Sequence, residues 1–195
     1  MNPGHPNSTS FFAYTVAKLS AMDIPYMVTG SMGCTIYGEP RSTNDVDIVF
    51  DPAVDQLLRY VADFESIAYV SSEAAMDAFR RRGMFNIISN ETMEKIDLIF
   101  LKREPYQISA FDRRVMRDFG TTEAVSVTAE DAIRSKLAWS RRSLSEVQFR
   151  DVAGILTQSA AELDWEYLKH WGAELSLLPR LKEVLRAINS DISLD

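Results

Sequence analysis

Two six-residue stretches, DVDIVF at 45–50 and KIDLIF at 95–100, constrain the fold more than any other feature of this chain. Each is a run of apolar, largely β-branched or aromatic side chains interrupted by carboxylates, and each reads as a strand. Side chains alternate along a strand with a period of two, so Asp45 and Asp47 project from one face of the first. Asp97 lies in the middle of the second. If the two strands are neighbours, three carboxylates converge on a small volume. Like charges that close raise each other's pKa unless a cation intervenes. The two stretches therefore predict a sheet with a cation-binding face.

The rest of the chain supplies elements to surround that sheet. Ser8 to Ser10 can cap a helix in which Phe12, Val16 and Leu19 recur at helical spacing. IPYMVTG (24–30) reads as a buried strand, SMGCTIYG (31–38) as a short helix closed by Gly38, and EPRSTN (39–44) as a loop. VDQLLRYVADF (54–64) predicts a helix with Val54, Leu57, Leu58 and Val61 on its apolar side. SSEAAMDAFRRRG (71–83) predicts another, with serines able to cap it. MFNIISN (84–90) and KIDLIFL (95–101) are joined by a short polar link and read as a hairpin, and AVSVT (124–128) reads as a last strand. Helical patterns follow over 129–140, 145–158, 162–171 and 178–189. The expectation is an α/β (α+β) chain with a mixed sheet of four or five strands packed against helices. Its α/β core spans 1–128, and a helical C-terminal region over 129–195 shares the active cleft.

Composition narrows the function classes. At 195 residues, 46% hydrophobic and 25% charged, the chain matches an ordinary folded domain. Its net charge of −7 argues against a broad, nonspecific grip on nucleic acid, which rests on Lys and Arg neutralising phosphates. The single cysteine, Cys34, allows neither an intrachain disulfide nor a cysteine-based zinc site. The two histidines, His5 and His170, lie near opposite ends of the chain, away from convincing catalytic partners. The N-terminal stretch MNPGHPNSTSFFAY lacks a charged n-region and an apolar h-region, and no apolar run approaches the roughly 20 residues that span a bilayer. A cytoplasmic protein with no membrane partner is expected.

Histidine-free, oxygen-rich sites suit Mg²⁺ or Mn²⁺, which keep water and recruit substrate phosphates as further ligands. Two such ions can polarise both the attacking and the leaving oxygen of a phosphoryl or nucleotidyl transfer. The Gly30-Ser31 turn supplies the complementary half. Glycine lets backbone approach a ligand closely, the following helix N-terminus offers amides to an anion, and the Ser31 hydroxyl is one more donor. Each signal alone has a bland reading: a solvated DxD, a strand end, a salt-bridged edge aspartate. Their order along the chain favours the site. Haloacid-dehalogenase-type phosphatases place DxD at the end of an apolar strand, whereas here polar RSTN precedes it and the apolar residues follow.

GSMGCTIYGEPRSTNDVDIVF followed by KIDLIF resembles the nucleotidyltransferase superfamily of the polymerase-beta type. YGEPRSTNDVDIV, AEDAIRSKLAWSRR and FRDVAGIL are most similar to compact prokaryotic members related to the toxins of abortive-infection type IV toxin–antitoxin systems. The resemblance touches most of residues 24–157. It implies Mg²⁺-dependent transfer of a nucleoside monophosphate from an NTP such as ATP to an acceptor, with release of pyrophosphate. It further implies that Gly30 and Ser31 bind triphosphate, that Asp45 and Asp47 hold the metals together with Asp97, and that Asp97 activates the acceptor. In the toxin-like subgroup the lysine at Lys136 contacts phosphate and the aspartate at Asp151 supports the site. Read on its own, Asp151 is a carboxylate on an otherwise apolar helix face. It pairs with Lys136, orients that lysine toward phosphate, or does both. Arg41 and Thr43 either contact nucleotide or form a solvated turn.

The acceptor stays open between RNA such as tRNA, a protein side chain and a small molecule, and a cognate antitoxin is an implied partner. Basic clusters at Arg80–Arg82, at Arg113, Arg114 and Arg117, and between Arg134 and Arg142 are either solvated or an acceptor surface. The alternative function is a catalytically silent nucleotide-binding or partner-binding protein on the same fold. Retention of all three carboxylates argues against it, since binding alone would not need the third.

Overall fold

The computed structural model describes residues 10–38, 45–143, 145–192 and 194. Helix α1 (Phe11–Ala21) starts where the Ala13 amide donates to the Ser10 hydroxyl, at 3.2 Å. Strand β1 (Tyr26–Thr29) follows, then the short helix α2 (Gly30–Thr35) and strand β2 (Asp45–Phe50). Helix α3 (Val54–Phe64), strand β3 (Ala68–Tyr69), helix α4 (Ser72–Arg81) and the hairpin of β4 (Met84–Ser89) with β5 (Lys95–Phe100) come next. Helix α5 (Pro105–Asp112) leads to strands β6 (Val115–Asp118) and β7 (Glu123–Ser126). The chain then runs through α6 (Ala129–Ser143), α7 (Glu146–Ser159), α8 (Trp165–Glu174) and α9 (Leu178–Ala187).

Among the described residues the strands form one mixed sheet of seven, in the order β3-β4-β5-β2-β1-β7-β6. The expectation of four or five strands missed β3 and β6, which are its two edges. β3 is two residues long, and β6, VMRD, is largely exposed, so neither carries an apolar alternation that a sequence could show. Helix α5 was also unforeseen, although Pro105 stands in its first turn and Tyr106, Ala110 and Phe111 form its buried side. In α3 the buried side is Leu57, Tyr60, Val61 and Phe64; Leu57 and Val61 lie on it as expected, whereas Val54 and Leu58 are exposed. Aromatic bulk turned that helix: Phe64 packs against Phe11 and Tyr14 of α1 and against Tyr60. Helix α8 begins at Trp165, capped by the Asp164 side chain, three residues later than expected.

The sheet separates two apolar clusters. Ile48 and Phe50 of β2, with Ile96, Leu98 and Phe100 of β5, point toward α1, α3 and α4. On the other face Met27, Val49 and Val127 join Leu101 and the helices α6, α7, α8 and α9 in a second cluster. The helices after residue 128 therefore pack onto the sheet face that bears the odd-numbered residues of β2 and β5. No helix among the described residues is long and apolar enough to cross a membrane.

Candidate active site

The alternation that buries Ile48 and Phe50 turns Asp45, Asp47 and Val49 to the opposite face. β2 and β5 run parallel with Asp47 beside Asp97 and Asp45 beside Lys95. The expected neighbourhood of the two strands is thus present, with the DxD and the third aspartate on one face. The three carboxylates are not equivalent. Asp97 is 7% exposed, and its Oδ1 is buried without a hydrogen-bond partner. The carboxyl of Asp47 is raised above the ordinary range, first by burial and then by the negative charges of Asp97 and Asp45. Asp45 is more open and is joined to its neighbours through Lys95, whose Nζ lies 3.4 Å from Asp45 Oδ1 and 3.0 Å from Asp97 Oδ2. Among the described residues no three carboxylate, imidazole or thiol groups close on one point as a ready-made metal site.

The glycine turn meets these carboxylates directly. Thr29, opposite Asp47 in the β1–β2 pair, ends its strand in extended conformation, and Gly30 follows with φ +65°. A Cβ at position 30 would sit 1.9 Å from Asp47 Oδ2. Glycine is required there twice, for the left-handed backbone and for the space that the carboxylate fills. One residue on, the Ser31 hydroxyl accepts from Lys136 Nζ at 3.1 Å. Lys136 projects from α6, is 6% exposed, and forms an ion pair with Asp151 of α7 at 2.7 Å. The interhelical pair and the approach of the lysine to the Gly-Ser turn therefore coexist. A cleft of about 460 Å³ opens over this region. Gly30, Ser31, Asp47 and Lys136 line it, together with Val49 and Ile99 of the sheet and Arg134 and Trp139 of α6. Arg41 and Thr43 lie outside the described residues, as do the side chains of Arg141 and Arg142.

A second buried carboxylate went unrecognised in the sequence. Glu130 and Asp131 suit the positive end of α6, and Thr128 does cap it, accepting from the Asp131 amide. Both acidic side chains nevertheless turn inward. Asp131, 1% exposed, accepts from Tyr106 at 2.6 Å, Tyr167 at 2.9 Å and Thr128 at 2.9 Å. Burial raises its carboxyl, and these three hydroxyl donors pull it back. Glu130 accepts from the Asp164 amide and faces Arg113 at 3.5 Å, and the Arg113 guanidinium lies over the Tyr167 ring. Arg113 is thus engaged with α6 and α8, and the Arg134 guanidinium lies 3.7 Å from the centre of the Tyr106 ring while lining the cleft. Arg82 is tied to Asp51 and Arg81 to Asp77.

With the geometry established, comparison adds the family of folds. An antigenic nucleotidyltransferase-like protein from Paracoccidioides brasiliensis superposes with a TM-score of 0.53 at 19% identity, over 89% of this chain and 89% of that one. The antibiotic-resistance factor ANT(2'')-Ia superposes at 0.50 with 11% identity, over 87% of this chain and 93% of that one. The fold is that of the nucleotidyltransferases. No family model matches the sequence, and no curated protein matches it.

On this nucleotidyltransferase fold the sequence-expected residues Gly30, Ser31, Asp47 and Lys136 border one cleft, with Asp97 in register beside Asp47 and Asp151 behind Lys136. The donor set suits a hard divalent cation. It is oxygen-only, Asp97 carries an unpartnered buried oxygen, and the Asp47 carboxyl is raised first by burial and then by Asp97 and Asp45, against a partial offset from Lys95 and Lys136.

Proposed function

We propose that this chain transfers a nucleoside monophosphate from an NTP to an acceptor group, releasing pyrophosphate. One observation carries the reading: a buried ammonium and the Asp47 carboxylate meet at a single glycine turn on the wall of a cleft, with Asp97 in register beside Asp47. Lys136 is fixed by Asp151 and already donates to Ser31, so its charge is aimed where a triphosphate lying against Gly30 and Ser31 would place its oxygens. Asp97, in register beside Asp47, takes the proton of the acceptor hydroxyl. The acceptor oxygen bonds to the α-phosphorus, the bond from that phosphorus to the bridging oxygen breaks, and pyrophosphate departs toward Lys136. Mg²⁺ or Mn²⁺ held by Asp47 and Asp97, with Asp45 at the outer edge, would supply neutralisation of the charge that builds on the phosphate oxygens.

The cleft volume is of the size that takes a drug-sized ligand. It suits the nucleotide together with a small acceptor or the protruding end of a larger one. The name of ANT(2'')-Ia supports testing antibiotic-like small molecules as acceptors, and the sequence resemblance to abortive-infection toxins supports testing tRNA. Labelled NTPs incubated with each acceptor class and Mg²⁺ test the proposal. Incorporation that disappears with Asp47→Asn is the expected result. Tight Mg²⁺-dependent NTP binding with no incorporation into RNA, protein or small molecules would instead favour the silent nucleotide-binding protein. Toxicity on expression, relieved by a co-expressed partner, is the outcome expected of a toxin.

A further inference from the structure

Lys95 bridges two of the three carboxylates of this site, Asp45 and Asp97. It opens β5, two residues before Asp97, so strand alternation puts both side chains on the cleft face. The parallel register sets it beside Asp45. From there its ammonium reaches 3.4 Å to Asp45 and 3.0 Å to Asp97 Oδ2, leaving Asp97 Oδ1 unpartnered. Within the Lys95–Asp97 pair the lysine is the more exposed side chain. Its side chain is 35% exposed on a flexible four-carbon stem, whereas the Asp97 side chain is 10% exposed and fixed within the sheet.

We propose that Lys95 is a built-in counter-ion for the DxD face, and that a divalent cation loads by exchange, displacing the Lys95 ammonium from Asp45 and Asp97. The inference rests on the reading above that these carboxylates hold such a cation. The lysine stands between Asp45 and Asp97, where a cation shared by those two carboxylates would sit. Before metal and nucleotide arrive, the lysine offsets part of the negative charge of the face. Afterwards Lys95 stands at the cleft edge, free to face an incoming anionic substrate.

Binding of Mn²⁺, followed by calorimetry and by the electron paramagnetic resonance of the free ion, tests this on the wild type, Lys95→Gln and Lys95→Arg. Removing the competing charge should tighten Mn²⁺ binding about tenfold in Lys95→Gln, while Lys95→Arg, which keeps the charge, stays near the wild type. A thermal melt gives a second readout. Lys95→Gln should melt below the wild type without metal and lose that deficit in saturating Mn²⁺, whereas a merely structural lysine would lower both midpoints. Equal or weaker Mn²⁺ affinity in a folded Lys95→Gln overturns the exchange and leaves the metal reading standing. Absence of Mn²⁺ binding in every folded variant, with or without NTP, overturns both.

Discussion

Asp131 and Asp97 are both buried aspartates on the same side of one sheet, and their surroundings differ in kind. Asp131 accepts from three hydroxyls and ties α5, α6 and α8 together. Asp97 keeps a buried oxygen with no partner, next to a second carboxylate that its charge disturbs. Asp131 is surrounded by donors, whereas Asp97, for which we propose a catalytic role, keeps an unused acceptor. Burial alone does not separate the two. The partner count does.

That comparison can be broken in several ways, the largest first. Asp97→Asn should lower the rate of transfer by about 10² to 10⁴-fold, as expected for loss of a general base, with little change in the melting midpoint. A folded Asp97→Asn of normal rate would place the proton elsewhere. Asp151→Asn should act on stability instead, because it leaves the Lys136 ammonium buried and unpaired, a loss of about 3–5 kcal/mol in urea unfolding. The double variant Lys136→Met/Asp151→Leu should regain most of that loss and remain inactive. Asp131→Asn should lose about 1–3 kcal/mol by mismatching three donors, without a matching fall in rate per folded molecule.

The smallest effect concerns pH. The folded carboxyl of Asp47 is raised above its unfolded value of about 3.9, so the folded state keeps a proton there that the unfolded state has released. Stability contributed at Asp47 is therefore lost as pH rises from below 3.9 through the folded value. Asp47→Asn should melt a few degrees above the wild type at neutral pH without metal, and the gap should shrink in acid. A gap independent of pH would assign the gain to something other than charge.

Much of this was legible because one rule, alternation with period two, sets both the core and the site. DVDIVF and KIDLIF reveal their inner and outer faces without a third dimension, and their parallel register completes the juxtaposition of Asp47 and Asp97. The Gly-Ser turn could be read for the same reason, since a strand end followed by glycine has few uses. The inward turn of Asp131 was not legible. Its two tyrosine donors lie 25 residues before it and 36 after it, and a first-turn aspartate looks equally apt for solvent. Lys95 could have been noticed, as it shares a face with Asp97 by parity, but its bridge to Asp45 depends on which strands are neighbours. The edges β3 and β6 and the helix α5 are held by tertiary contacts more than by their own patterns.

The alternation in β2 has a further consequence. A slip of one residue against β1 and β5 would carry Asp45 and Asp47 into the layer under α3 and α4 and expose Ile48 and Phe50 in the cleft. Misregistered chains would thus lose the apolar core and the charged face in a single step, and no half-correct pairing keeps either. Any insertion or deletion within 45–50 should for that reason behave as an all-or-nothing change, abolishing the fold and not merely shifting the chemistry.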